Sequence, residues 1–146
     1  MKETLITILE SFGYPVRLQG SLLPDEPYPP SFFTFWNNSS SDGAHYDNSA
    51  ISYVWSFDIN FYSNDPALVN TVLLSAKASL VAAGWIIDGK GYDVPTDEPS
   101  HTGRGIVALY LEQEHEPEPT PTPEPESGSN HTQDTENEQE GNNDDN

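Results

Sequence analysis

Between residues 51 and 62 the chain reads ISYVWSFDINFY. Ile51, Tyr53, Trp55, Phe57, Ile59 and Phe61 fall on one parity, and Ser52, Val54, Ser56, Asp58, Asn60 and Tyr62 on the other. Successive side chains of a β-strand leave opposite sides of the backbone, so this alternation predicts one strand with an apolar face and a mostly polar face. Strands average about 5–6 residues. Twelve residues at about 3.3 Å each would extend roughly 40 Å, farther than a small domain needs to cross its own core.

The pattern changes on either side. Leu5, Ile6, Leu9 and Phe12 lie at helical spacing, and Gly13 ends that short helix over 3–12. GYPVRLQGSLLPDEPYPP is rich in proline and glycine and reads as a long tethered loop with a short strand at 16–18. SFFTFW, 31–36, is a strand of aromatic and β-branched residues. NNSSSDGAHYDNSA, 37–50, reads as a long polar loop, and the strand at 51–62 then returns antiparallel to 31–36. SNDPALVNTVLLSAKASLVAAG is a second helix, with Asn64 or Asp65 as N-cap, Pro66 in the first turn and Gly84 as the stop. Leu68, Val69, Val72, Leu73, Ala76, Leu80 and Ala83 form its buried stripe. Its opposite face, Asn70, Thr71, Ser75 and Ser79, is weakly polar and suits contact with a neighbouring subunit. WIID and GIVALYLE are two further strands, joined by the loop GKGYDVPTDEPSHTGR. The order α-β-β-α-β-β is that of an α+β fold, a small sandwich of a mostly antiparallel sheet packed on two helices.

Charge divides the chain. Residues 1–113 hold five basic residues (Lys2, Arg17, Lys77, Lys90, Arg104) and thirteen acids, a net of −8. Residues 114–146 hold eleven acids, no base and no aliphatic or aromatic side chain, a net of −11. A segment with nothing apolar to bury cannot offset the entropy of ordering. The expected organisation is therefore one folded unit over 1–113 and a disordered Pro/Glu-rich acidic tail over 114–146. That tail reads first as a solvating bristle, and otherwise as an interaction tail or a nucleic-acid mimic; its flexibility argues against mimicry. The acidity disfavours binding to nucleic acid or to an anionic membrane, which requires a basic patch. The start, MKETLITILESFG, carries acids and threonines within its apolar run, unlike a signal peptide. Cytosolic synthesis follows as the expectation, and the sequons at Asn38 and Asn130 are read as fortuitous.

The residue types that carry chemistry form no established motif. Cysteine is absent, so disulfides, thiolate metal sites and a thiol nucleophile are excluded. His45 lies near Asp42 and Asp47 in SDGAHYDNS. His and Asp can serve a metal site or a general base, but the spacing fits no known loop and solvated turn residues are the simpler reading. DGKGYDVPTDE resembles a calcium loop only in outline. Lys90 and Tyr92 stand where ligands belong, Asp93 where the glycine belongs and Pro99 where the closing glutamate belongs. His101 and Arg104 in HTGRG lack the preceding strand and following helix of a phosphate-gripping loop, so a glycine-rich bend is the expectation. Without G-x-S-x-G or H-E-x-x-H either, the chain reads as a non-enzyme with no cofactor and no metal.

GYPVRLQGSLLPDEPYPPSFFTFW, FDINFYSNDPALVNTVLLSAKASLVAAGW and GKGYDVPTDEPSHTGRGIVALYLE follow one another over about residues 13–112. In that order they resemble the small tail and head–tail joining proteins of long-tailed bacteriophages of Gram-positive bacteria, a group similar to tail terminator and tail completion (minor tail) proteins. The resemblance implies a virion protein of the neck, made in the host cytoplasm, that forms a homo-oligomeric ring, often of six copies, at the head-proximal end of the tail. Its implied partners are the major tail protein and the head-completion or connector proteins. It implies no catalytic residue and nothing for the acidic tail. The long strand then has a purpose: half covers its own helices and half reaches a neighbour. Trp55, Phe57 and Phe61, with the cations Lys77 and Arg104, are the candidate subunit-contact residues. The loops 37–50 and 89–103 are expected to face the partner or an acidic lumen through which DNA slides. Two other classes stand beside this one: an acidic decoy or inhibitor of a basic host factor, and a small-ligand module or enzyme.

Overall fold

A computed structural model of the chain describes residues 1–114; the expected tail, apart from Glu114, lies outside the described residues. The first helix, α1 (Lys2–Glu10), turns Leu5 and Leu9 wholly into the core, and Gly13 at φ +82° ends the excursion. A positive φ of this size costs a side-chain-bearing residue about 1–2 kcal/mol, which explains glycine there. Strands β1 (Val16–Leu18), β2 (Ser31–Tyr46) and β3 (Ser49–Ser63) follow. Asp65 caps α2 (Pro66–Ala82) by accepting a 3.0 Å bond from the Ala67 N–H. The strands β4 (Ile86–Ile87), β5 (Tyr92–Val94) and β6 (Thr102–Gln113) complete the described chain.

The strands form one sheet in the order β1-β2-β3-β6-β4, with β5 also on β6. β1 runs parallel to β2 and every other pairing is antiparallel. Both helices lie on one face. There Phe33 and Phe35, Phe57, Ile59 and Phe61, and Ile106 and Ala108 meet Leu5 and Leu9 of α1 and Val72, Leu73, Ala76 and Leu80 of α2. The α+β class with a mostly antiparallel sheet and two helices is as expected. The short strand expected at 16–18 is β1; the element order is richer than α-β-β-α-β-β because β1 counts in it and because β5 interrupts the loop after β4.

Several expectations need correction. Residues 37–50 are not a loop: β2 continues through them to Tyr46, and only Asp47 and Asn48, at φ +49° and +65°, make the turn into β3. Ala83, expected in the buried stripe of α2, is the exposed C-cap, because the helix has already ended where its face would have turned inward. WIID contributes only two strand residues, since Trp85 leaves the sheet to fill the core beside Phe57 and Tyr110.

The sheet is covered on its second face as well, but only at one end. Phe32, Thr34, Asn60 and Tyr62 point away from the helices and are nonetheless buried. The segments 19–30 and 95–101 close over them. His101 ties those segments together, its Nε2 2.8 Å from the Pro29 carbonyl and its ring edge-on to Tyr28. The glycines of HTGRG belong to this packing. A side chain at Gly103 would meet the Tyr62 ring at 2.7 Å, and one at Gly105 would strike Asn60 Oδ1. They are strand residues of β6 that let β3 side chains lie flat, not a bend.

Candidate interaction surface

The two-residue turn at Asp47 and Asn48 closes a hairpin in which Tyr46 pairs with Ser49. Positive φ at both central positions gives the type I′ geometry whose twist matches paired strands, and Asp and Asn tolerate it better than other side chains. β3 is paired on both sides from Ser52 to Ser63, with β2 on one edge and β6 on the other. The outer edges are far less occupied. β1 pairs β2 only from Phe33 to Phe35, and β4 and β5 together pair β6 only up to Leu109. The result, among the described residues, is a three-stranded blade of about 37–46, 49–56 and 110–113 that continues past the helices with both outer edges unpaired. At about 3.3 Å per residue the fifteen residues of β3 extend roughly 50 Å.

The two faces of the blade differ. On the helix side lie Tyr53 and Trp55, ringed by Asp42, Glu112 and Glu114. Trp55 stacks on Phe57 at 6.3 Å between centroids and donates a 2.6 Å hydrogen bond from Nε1 to Glu112 Oε2. The negative charge of Glu114, then desolvation, then Asp42 and Glu112, push the Tyr53 phenol above its ordinary range. On the opposite side Val54, Leu109 and Leu111 form an apolar stripe continued by Val107 and Ile86. Ile86 is 61% exposed and Leu111 47%. Gly43 sits in an irregular stretch of β2 where an added side chain would meet Ser52, Val54 and Leu111. Exposed edges and an uncovered apolar stripe are aggregation hazards in a lone chain and contact surfaces in an assembly.

The residues expected from the sequence to make subunit contacts separate here. Phe57 and Phe61 are 2% and 0% exposed, so they serve this chain's own core and cannot face a partner. Trp55 lies at the boundary, half-buried, with its polar edge committed to Glu112. Lys77 and Arg104 are brought together at a different place. Lys77 Nζ donates to the Gly89 carbonyl, while Arg104 donates to the Lys90 carbonyl at 3.2 Å and to Asp93 at 2.8 Å. Both cations hold the 88–91 turn, where Lys90 adds a third positive charge beside Asp88 and Asp93. The weakly polar face of α2 is exposed as expected; Thr71 and Ser75 return their hydroxyls to the helix carbonyls at Ala67 and Thr71.

The residues that the alternation of β3 did not point to are Val107, Leu109 and Leu111. Their signal was present in IVALYL, which is apolar on both parities and so calls for cover on both faces of β6. Elsewhere His45 Nε2 lies 3.4 Å from Asp42 Oδ2 in an exposed pair, and Asp47 occupies the turn. Among the described residues no three potential ligands converge on a metal-sized site, and no helix is long and apolar enough to cross a membrane. Searches with this chain found no matching family model and no matching curated protein.

Proposed function

We propose that this protein is a non-enzymatic virion assembly component of a long-tailed bacteriophage, a tail terminator or head–tail joining protein that forms a ring at the head-proximal end of the tail. The observation that carries the reading is the blade: a paired projection with two open edges and an uncovered apolar stripe, joined to the core at its base by Trp55 and Tyr110. The resemblance over residues 13–112 gives that projection its setting. In the proposed ring each blade lies against the next copy, so that the contact joins two different patches and closes on a rotation axis; six copies are favoured. Charge supports a head-to-tail arrangement. The acidic end, Asp42, Glu112 and Glu114, complements the corner of Lys77, Lys90 and Arg104 on a neighbour. The major tail protein and a head-completion or connector protein would occupy the two rims.

Negative-stain electron microscopy of lysates from a phage lacking this gene tests the reading. Overlong tails, or tails separated from filled heads, are the expected result; normal infectious particles would refute it. A second reading, an acidic decoy for a basic host factor, draws on the same carboxylates around Tyr53. It requires tight one-to-one binding to a basic partner that is abolished by high salt, together with a chain that stays monomeric at high concentration.

A further inference from the structure

On the second face of the sheet, at the end opposite the blade tip, a cavity of about 260 Å³ lies between the strands and their covering segments. Phe32, Thr34 and Tyr62 make its floor. Arg17 and Gln19 stand on one wall, and the other wall is Pro95 to Asp97. Two polar atoms here are buried and have no hydrogen-bond partner: Thr34 Oγ1, on a residue only 5% exposed, and Arg17 Nε. The charge of Arg17 is already balanced, because its Nη2 lies 2.8 Å from Glu26 Oε1. Burial raises the Tyr62 phenol above its ordinary range, and the nearby Thr34 hydroxyl and Gln19 amide oppose that shift. The Thr34 and Tyr62 hydroxyls are neighbours but make no hydrogen bond of ordinary geometry, which leaves Thr34 Oγ1 open to an occupant.

Unmatched buried donors cost about 1–3 kcal/mol each, and sites with few convergent polar groups over an aromatic floor are those that take small ligands. The unmatched set consists of one N–H and one hydroxyl, so an occupant must present an acceptor oxygen. Asp97 and Glu26 beside it disfavour a full anion, and Asp97 offers an acceptor to an N–H. The floor and walls add flat apolar surface from Phe32, Tyr28 and Pro95.

We propose that this cavity binds a small planar carboxamide, whose carbonyl oxygen accepts from Arg17 Nε and Thr34 Oγ1 and whose NH₂ donates to Asp97. This binding would be separate from ring assembly and does not rest on it. The test is a titration of the ¹⁵N-labelled full chain with benzamide, benzoate and benzylamine, three probes of one shape and different charge, followed by two-dimensional NMR. Benzamide is expected to give saturable shifts at Gln19, Gly20, Thr34, Tyr62 and Asp97, with benzoate and benzylamine each at least about tenfold weaker. Thr34→Val, which removes an unpartnered hydroxyl at constant volume and so should fold normally, is expected to weaken benzamide about five- to tenfold, the loss of one neutral hydrogen bond. Arg17→Lys, which keeps a cation for Glu26 but lacks the Nε–H, should weaken it similarly. Benzamide that gives no saturable shift, benzoate that binds as well or better, or unchanged affinity in both variants would each overturn the assignment and leave a water-filled cavity.

Discussion

Trp55 and Phe57 are two residues apart on the same parity of the same strand, yet they do different work. Phe57 is enclosed by α2 and Trp85, whereas Trp55 is half open and held by Glu112. Phe57→Ala should therefore cost about 3–5 kcal/mol, the usual range for a buried aromatic. Trp55→Ala should cost about 2 kcal/mol, within the range of partly buried sites. Thermal melts of the two variants decide the matter, and equal destabilisation would mean that the core reaches farther along β3 than Phe57. Tyr62 yields a pH prediction. Burial raises its pKa above the ordinary value of 10.0, so the folded chain holds the proton more tightly than the unfolded chain. That contribution is fully present below about pH 10 and is lost as pH rises through the folded-state value. As pH rises above about 10 the wild type should lose melting temperature more steeply than Tyr62→Phe, with the two running parallel below it.

At the scale of elements, the hairpin is the feature that reading by composition missed. Asn, Ser, Asp and Gly are usual in loops, and from 37 to 50 they outnumber everything else. What makes the segment a strand is its partner: β3 offers a continuous edge, and the Asp47–Asn48 turn sets the register. The Asp-Asn pair was the legible signal, for adjacent residues of this kind are suited to positive φ. Asn48→Val should cost about 1–2 kcal/mol at the turn and act locally. Hydrogen exchange is expected to accelerate for the amides of 44–51, with the melting temperature of the body nearly unchanged. A global loss of stability would mean that the blade and the body unfold as one unit. The helices, by contrast, were readable in advance, because the Asp65–Pro66 start and the spacing of Val69, Val72, Leu73, Ala76 and Leu80 are local properties.

For the whole molecule, the expectation is that the blade matters for assembly and not for folding. Leu111→Glu places a charge on a residue that is already half exposed, so the circular dichroism spectrum and melting temperature should stay close to wild type. Light scattering on the eluting protein should then report monomers, against the ring proposed for the wild type; Leu111→Glu with the same mass as the wild type would remove the apolar stripe from the proposed interface. A chain ending at Glu116 contains every element of the described fold. It should unfold cooperatively and within a few degrees of the full-length protein, and a broad, non-cooperative transition would show that the acidic segment contributes to folding.

The sequence by itself determined what depends on near neighbours. It set both helices and the N-cap of α2, the parity of β3, and the division between a chain with apolar residues and a terminal segment without them. Periodicity and capping act over a few residues and can be read from one strand of text. Tertiary structure decided which part of each apolar face is covered. Phe57 and Phe61 are in the core while Ile51 is exposed, because the helices are shorter than the strand they pack on. It also turned polar residues 37–46 into strand, placed glycines 103 and 105 beneath Asn60 and Tyr62, and brought Lys77 and Arg104 to one turn. Each of these depends on a partner distant in the chain, and no local pattern encodes the partner's length or position.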